Sequence, residues 1–189
     1  MPYGNLVHIY DADDWITRQT AVIYNFRESD VKPVGVRGGI QGLLRELDTL
    51  LKQKWVFTRV VFSTHGNAGH IHFKGEPIGV HTLTKEFANR GYERLFPVVQ
   101  TRMYFNGCNV ADGDKGWNFL EKAASIFLKT MGGVAFGDTS KGFAMHPIIM
   151  PFMPPWLYPI VAGKVIHPWG DTRYVFVGPG GNFVKREEN

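Results

Sequence analysis

The chain has a single cysteine, Cys108, among its 189 residues. That excludes an internal disulfide framework and any multi-cysteine zinc site, and leaves either an inert buried thiol or a reactive one. Charge of one sign is also scarce: 21 Lys and Arg against 17 Asp and Glu give a net +4, and the charges are scattered. Such a distribution reads as a solvated surface and not as the concentrated stripe that nucleic acid requires, so nucleic acid is not an expected partner. Long uncharged runs are limited to Gly142–Gly163, which contains Pro147, Pro151, Pro154, Pro155 and Pro159. Each proline removes a backbone donor and clashes with the preceding turn, which excludes a continuous membrane-spanning helix. No basic stretch followed by an apolar one opens the chain, so no secretory signal is visible; both a cytoplasmic location and export by another route stay open.

Several motifs are missing as well. GxGxxG, GxxxxGK[ST] and GxSxG do not occur, which argues against dinucleotide, nucleotide and serine-hydrolase chemistry, and no cofactor is expected. His70 and His72 are two apart and would share one face of a strand, where His65 or His81 could complete a metal site. No HExxH, cysteine cluster or carboxylate triad supports that reading, so no metal is expected.

What is present describes a globular domain. The chain is 44% hydrophobic, 14% aromatic and 20% charged, and a chain of this length buries roughly 70% of its unfolded surface without staples. Ile40, Leu43, Leu44, Leu47, Leu50 and Leu51 recur at helical spacing, as do Trp117, Leu120, Ala123, Ala124, Phe127, Leu128 and Met131; both stripes predict amphipathic helices. Thr84 to Phe96 is expected to be a third helix. Strands are expected at Leu6–Tyr10, Thr20–Phe26, Trp55–Phe62, Val98–Phe105 and Val134–Phe136, and the segment around Pro33 to Gly39 reads as turn-rich. A short hairpin is expected across His70–Val80, and a C-terminal one pairs Arg173–Val177 with Asn182–Val184. Alternating strands and helices predict an α/β domain spanning residues 1–189, its mainly parallel sheet covered by helices on both faces. Residues 141–163 read as an apolar, proline-rich loop within it. Its core, 147–159, either packs over the domain edge or meets a partner or membrane surface.

In such sheets ligands bind beyond the carboxyl ends of the strands. Two strands end in reactive groups: Val60-Val61-Phe62-Ser63-Thr64 runs into His65-Gly66, and Arg102-Met103-Tyr104-Phe105-Asn106 runs into Gly107-Cys108. If these strands are neighbours, an imidazole and the lone thiol share one rim. An imidazole can take the thiol proton, and glycines let a substrate backbone approach while the amides of Gly66 and Cys108 face a developing oxyanion. A lone cysteine at a strand end is also a common small core residue, and His-Gly is a common turn. Spacing alone leaves both readings open.

The segments VVFSTHGNAGHIHFKGEPIGVHTL and MYFNGCNVADGDKGWNFLEKAASIFLKTMGGVAFGDTS resemble a bacterial caspase-like domain family. That family lies within the clan of caspases, gingipains, clostripain and separase and is found near the N-termini of large repeat-rich proteins. The resemblance covers roughly Ala21 to Ser140. It implies a three-layer caspase-like fold and a cysteine peptidase with Cys108 as nucleophile, His65 as general acid and base, and Gly66 and Cys108 amides as oxyanion hole. Thr64 stands where the family usually has Ser, and Asn106 where it usually has Tyr; neither change removes the dyad. The implied partner is a peptide or protein substrate, with Asn109 and Asp138 as candidates to contact it. A solvent-facing turn aspartate is the plainer reading of Asp138, and helix capping that of Asp112 and Asp114. The alternative function is a catalytically silent binding module, or a secreted effector, docking through 147–159. Oligomeric state is not legible.

Overall fold

The computed structural model describes residues 3–27, 30–140, 143–144, 165–166 and 171–189. The segment 147–159 therefore lies outside the described residues, as does most of 141–163. Four parallel strand pairings build the centre of a seven-stranded sheet. Strand β1 (Tyr3–Asp11) lies between β2 (Val31–Val36) and β3 (Val56–Ser63), and β7 (Thr101–Asn106) and β8 (Gly133–Asp138) follow β3 outward. Strands β11 (Thr172–Val177) and β12 (Phe183–Glu188) add an antiparallel hairpin to β8. The sheet order β12-β11-β8-β7-β3-β1-β2 reverses direction at β1. A crevice is expected where order reverses, at the carboxyl ends of β1 and β3. A separate three-stranded sheet joins β4 (His65–Asn67), β5 (His70–Phe73) and β6 (Glu76–Ile78), and β9 (Phe143–Ala144) pairs with β10 (Val165–Ile166).

One face of the main sheet carries α2 (Gly39–Lys52) and α4 (Gly113–Phe127). Leu43, Leu44, Leu47 and Leu50 from the first, and Phe119, Leu120, Ala123 and Phe127 from the second, share one buried cluster with Val7, Ile9, Phe62 and Phe105. These follow the stripes that helical spacing predicts, except that α4 ends at Phe127 and Met131, beyond it, is exposed. The opposite face carries α1 (Trp15–Arg27), whose Asn25 bonds His8, a residue that alternates with Val7 and Ile9 along β1. The chain is thus α/β with a mostly parallel sheet, as its strand and helix alternation predicts.

Three expectations are corrected. Thr20–Phe26 is helical, not a strand. β-Branched residues disfavour helix only weakly, by tenths of a kcal/mol each, whereas Asp14 caps the Thr17 amide at 2.7 Å and a parallel β1–β2 pair requires a long crossover. The proline-bearing segment before Gly38 forms β2, which among the described residues pairs only with β1; Pro33 is tolerated there because an edge strand does not need every donor. The expected helix at Thr84–Phe96 is broken. A short turn, α3 (Val80–Thr82), runs into a π-helical turn at Leu83–Phe87. A 3₁₀ turn at Tyr92–Leu95 then follows Gly91, whose φ of 76° ends the previous helical path.

Carboxylates tie the small sheet to the main one. Asp11 Oδ2 accepts the Lys74 amide at 2.7 Å, and Glu76 Oε2 accepts the Ile40 amide at 2.8 Å, capping α2 from a distant hairpin. Ile71, Phe73 and Ile78 enter the same core. Phe127 is a hub of that core: its ring lies 6.1 to 6.3 Å from those of Phe62, Phe87, Tyr92 and Phe96. Phe127→Ala is expected to destabilise the domain by about 3–5 kcal/mol, seen as a lower urea midpoint at unchanged slope.

Candidate functional site

Parallel pairing in β3·β7 sets Ser63 beside Asn106, so the two strands end at the same level on the same rim. The next residues keep the chains together, with the Thr64 amide donating to the Asn106 carbonyl at 3.4 Å. Main chain then meets main chain. A Cβ on Gly66 would lie 3.0 Å from the Cys108 carbonyl oxygen and 2.5 Å from Val110, and one on Gly107 would lie 3.1 Å from the Thr64 carbonyl oxygen. Only glycine fits at these two positions without a shift. The structure therefore brings the segments bearing His65 and Cys108 into direct contact. Cys108 is partly exposed and His65 is exposed.

The cysteine-bearing turn is pinned from several sides. The Gly69 amide donates to Val110 at 3.0 Å, the Asn109 amide to Ser140 at 2.8 Å, and the Ala111 amide to Asp138 at 3.1 Å. Asn109 adopts φ 54°, a left-handed conformation that asparagine tolerates, and is partly exposed beside the thiol. Asp112 occupies the N-cap of α4 but contributes only backbone: its carbonyl accepts the Gly116 amide at 2.9 Å, and its side chain makes no capping bond, contrary to the capping reading.

His65 has a partner that spacing did not reveal. Its Nε2 lies 3.2 Å from Asp14 Oδ2, in the loop between β1 and α1, beside the point where strand order reverses. Asp14 Oδ1 accepts both the Thr17 amide at 2.7 Å and its hydroxyl at 2.8 Å. Burial alone pushes this carboxyl up, but the Thr17 bonds and the bond and charge of His65 together hold it below the ordinary carboxylate range. The sequence signal for it is a helix-start pattern, Asp14 ahead of Thr17, which lies just before the run Thr20–Phe26 read as a strand. His72 lies opposite His65 in the β4·β5 pairing; burial, then the nearby charges of His70 and His65, lower its pKa. Among the described residues no three His, Cys, Asp or Glu side chains are grouped to hold a metal.

Beneath this rim a line of polar side chains crosses the sheet. His8 Nδ1 lies 2.7 Å from Asn25 Oδ1 and its Nε2 lies 2.8 Å from Ser63 Oγ. The Asn106 amide donates to Ser63 at 3.5 Å, and Asn106 Oδ1 lies 3.5 Å from the Tyr104 hydroxyl. That hydroxyl donates to Asp138 Oδ2 at 2.6 Å, and Thr172 donates to Asp138 Oδ1 at 2.7 Å. Asp138 is therefore buried with both oxygens engaged. This corrects the reading of a solvent-facing turn: side chains from β7 and β11 donate to the carboxylate. Ser63, His8 and Asn25 have the contacts of a serine triad, yet His8 and Ser63 are buried, so substrate has no access to them.

Two concavities, of about 430 and 450 Å³, lie at the opposite, amino-terminal rim. The first is lined by Gly4, Val31 and Trp55, the second by Gln100, Gly133 and Val177, and neither includes His65 or Cys108. No family model, curated protein or solved structure matches the chain.

Burial lowers the His8 pKa from 6.5 to about 4, against a smaller opposing effect of Asn25. Asn25 Oδ1 can only accept, so it selects the neutral ring with its proton on Nδ1. A histidine depressed in the fold stays neutral while the unfolded chain takes up a proton below its own pKa. Stability is therefore complete above pH 6.5 and falls as pH drops toward about 4, by about 3 kcal/mol. His8→Gln is expected to flatten that dependence in thermal melts across this window, leaving the weaker slope in the same direction from His72.

Proposed function

We propose that the chain is a cysteine hydrolase of caspase-like architecture, acting on peptide or protein substrates through Cys108 and His65. The observation that carries this reading is the contact between the Gly66 and Cys108 segments at the carboxyl rim of a parallel sheet. The layout agrees with the resemblance seen in HG and GCNVA. Helix α1 lies on one face and α2 and α4 on the other, the strand order turns at β1, and an antiparallel hairpin extends the far edge.

His65 accepts the Cys108 proton as the sulfur attacks the substrate carbonyl, forming a C–S bond and an oxyanion that faces the amides of Gly66 and Cys108. The tetrahedral carbon expels the amine, which takes the proton from His65 and leaves a thioester. Water, deprotonated by His65, then breaks the C–S bond; the thiol is restored and the carboxylic acid departs. Asn109, beside the nucleophile, is placed to contact the acyl portion. Asp138 has no part in this scheme beyond supporting the rim.

A second reading, a catalytically silent binding module, is favoured by the concavity at the other rim, where Val99, Met131 and Val184 stand exposed. The two readings separate on thiol reactivity. Iodoacetamide is expected to label Cys108 in the native protein near neutral pH, and His65→Ala to slow the reaction at least about tenfold. Labelling that requires denaturant, or that ignores His65→Ala, overturns the hydrolase.

A further inference from the structure

Histidine has two ring nitrogens, and its usefulness as a base depends on which one is free. We propose that Asp14 is a positioning residue for His65, fixing its ring and tautomer so that Nδ1 is the atom turned over to Cys108. This rests on the hydrolase reading above and assigns to it a residue outside the Cys-His pair.

Asp14 Oδ2 lies 3.2 Å from Nε2, and the negative charge there favours the tautomer with hydrogen on that nitrogen. In the neutral ring Nδ1 is then unprotonated and able to accept the thiol proton. Once the proton has moved, the imidazolium sits beside a negative charge, which favours the ion pair formed during attack. The carboxylate is itself held: Oδ1 is bound by the Thr17 amide and hydroxyl on the first turn of α1, and Thr17 is buried. Its anchor is thus the helix end, not a mobile surface side chain. The site is also correctly located, because the loop after β1 and the loop after β3 flank the point where strand order reverses. His72 lies opposite His65 across β4·β5 and adds positive charge when protonated, which the Asp14 carboxylate opposes.

The helix cap and the histidine contact use different oxygens, which makes them separable. Asp14→Asn keeps an acceptor for Thr17 but loses the charge on His65; Asp14→Ser also caps helices well and gives a second variant if the first folds poorly. Thr17→Val removes the hydroxyl bond while leaving the amide cap and the charge. The measurement is the pH–rate profile of Cys108 alkylation by iodoacetamide in the full chain, compared with that of His65→Ala. Asp14→Asn is expected to slow alkylation at neutral pH several-fold and to move the pH–rate profile, with Thr17→Val changing neither appreciably. If His65→Ala slows alkylation but neither Asp14 variant moves the profile or the rate, the role of Asp14 is overturned and the dyad stands. If His65→Ala has no effect, the hydrolase reading itself is lost, and Asp14 has no reaction to serve.

Discussion

Five parallel rungs between β3 and β7, from Arg59–Arg102 to Ser63–Asn106, fix where two otherwise distant segments end. Because side chains alternate along a strand, a slip of one residue would carry Ser63 and Asn106 to the other face. It would also separate the two turns that now touch through Gly66 and Gly107. Core packing holds the register: Phe62 and Phe105 stack at 5.1 Å on the helix-covered face. The apolar side of the sheet thus determines the geometry of the polar rim.

That rim rests on a hydrogen-bonded line running from α1 through β1, β3, β7 and β8 to β11. Most neighbours in it are joined donor to acceptor, while the Tyr104 hydroxyl gives its one proton to Asp138 and only approaches Asn106. Removing Ser63 would strand two buried partners, His8 and Asn106, which costs more than the bonds themselves contribute. Such a line gives five strands a common level just under the loops, whatever those loops do.

Much of this was readable from residues alone, where one physical signal dominated. The α2 and α4 stripes bury every third or fourth residue, and no competing pattern interrupts them. Strands β3 and β7 are apolar runs stopped by His-Gly and Gly-Cys, and the α/β alternation placed both ends on one rim. Signals that compete locally were less legible. Thr20–Phe26 has strand-like composition, but Asp14 and the β1–β2 crossover make it a helix; with that helix misread, its capping aspartate could not be seen as a neighbour of His65. Pro33 and nearby glycines disguised an edge strand. Asp138 sits in a Gly-Asp-Thr sequence that reads as a turn, and only the arrival of Tyr104 and Thr172 from other strands shows it to be buried.

The close approach at Gly66 and Gly107 has a structural corollary. Where those turns meet, neither glycine offers a side chain, and the Val110 methyl packs against both. On the proposed hydrolase reading, discrimination between one substrate side chain and another comes from the walls. On the α1 side the first helical turn presents Trp15 at 50% and Ile16 at 36% exposure, adjoining the aspartate that contacts His65. On that reading, a base without side chains and one oily bank would sort substrates by the shape and greasiness of a flank, and would leave the peptide link itself to be gripped without regard to sequence.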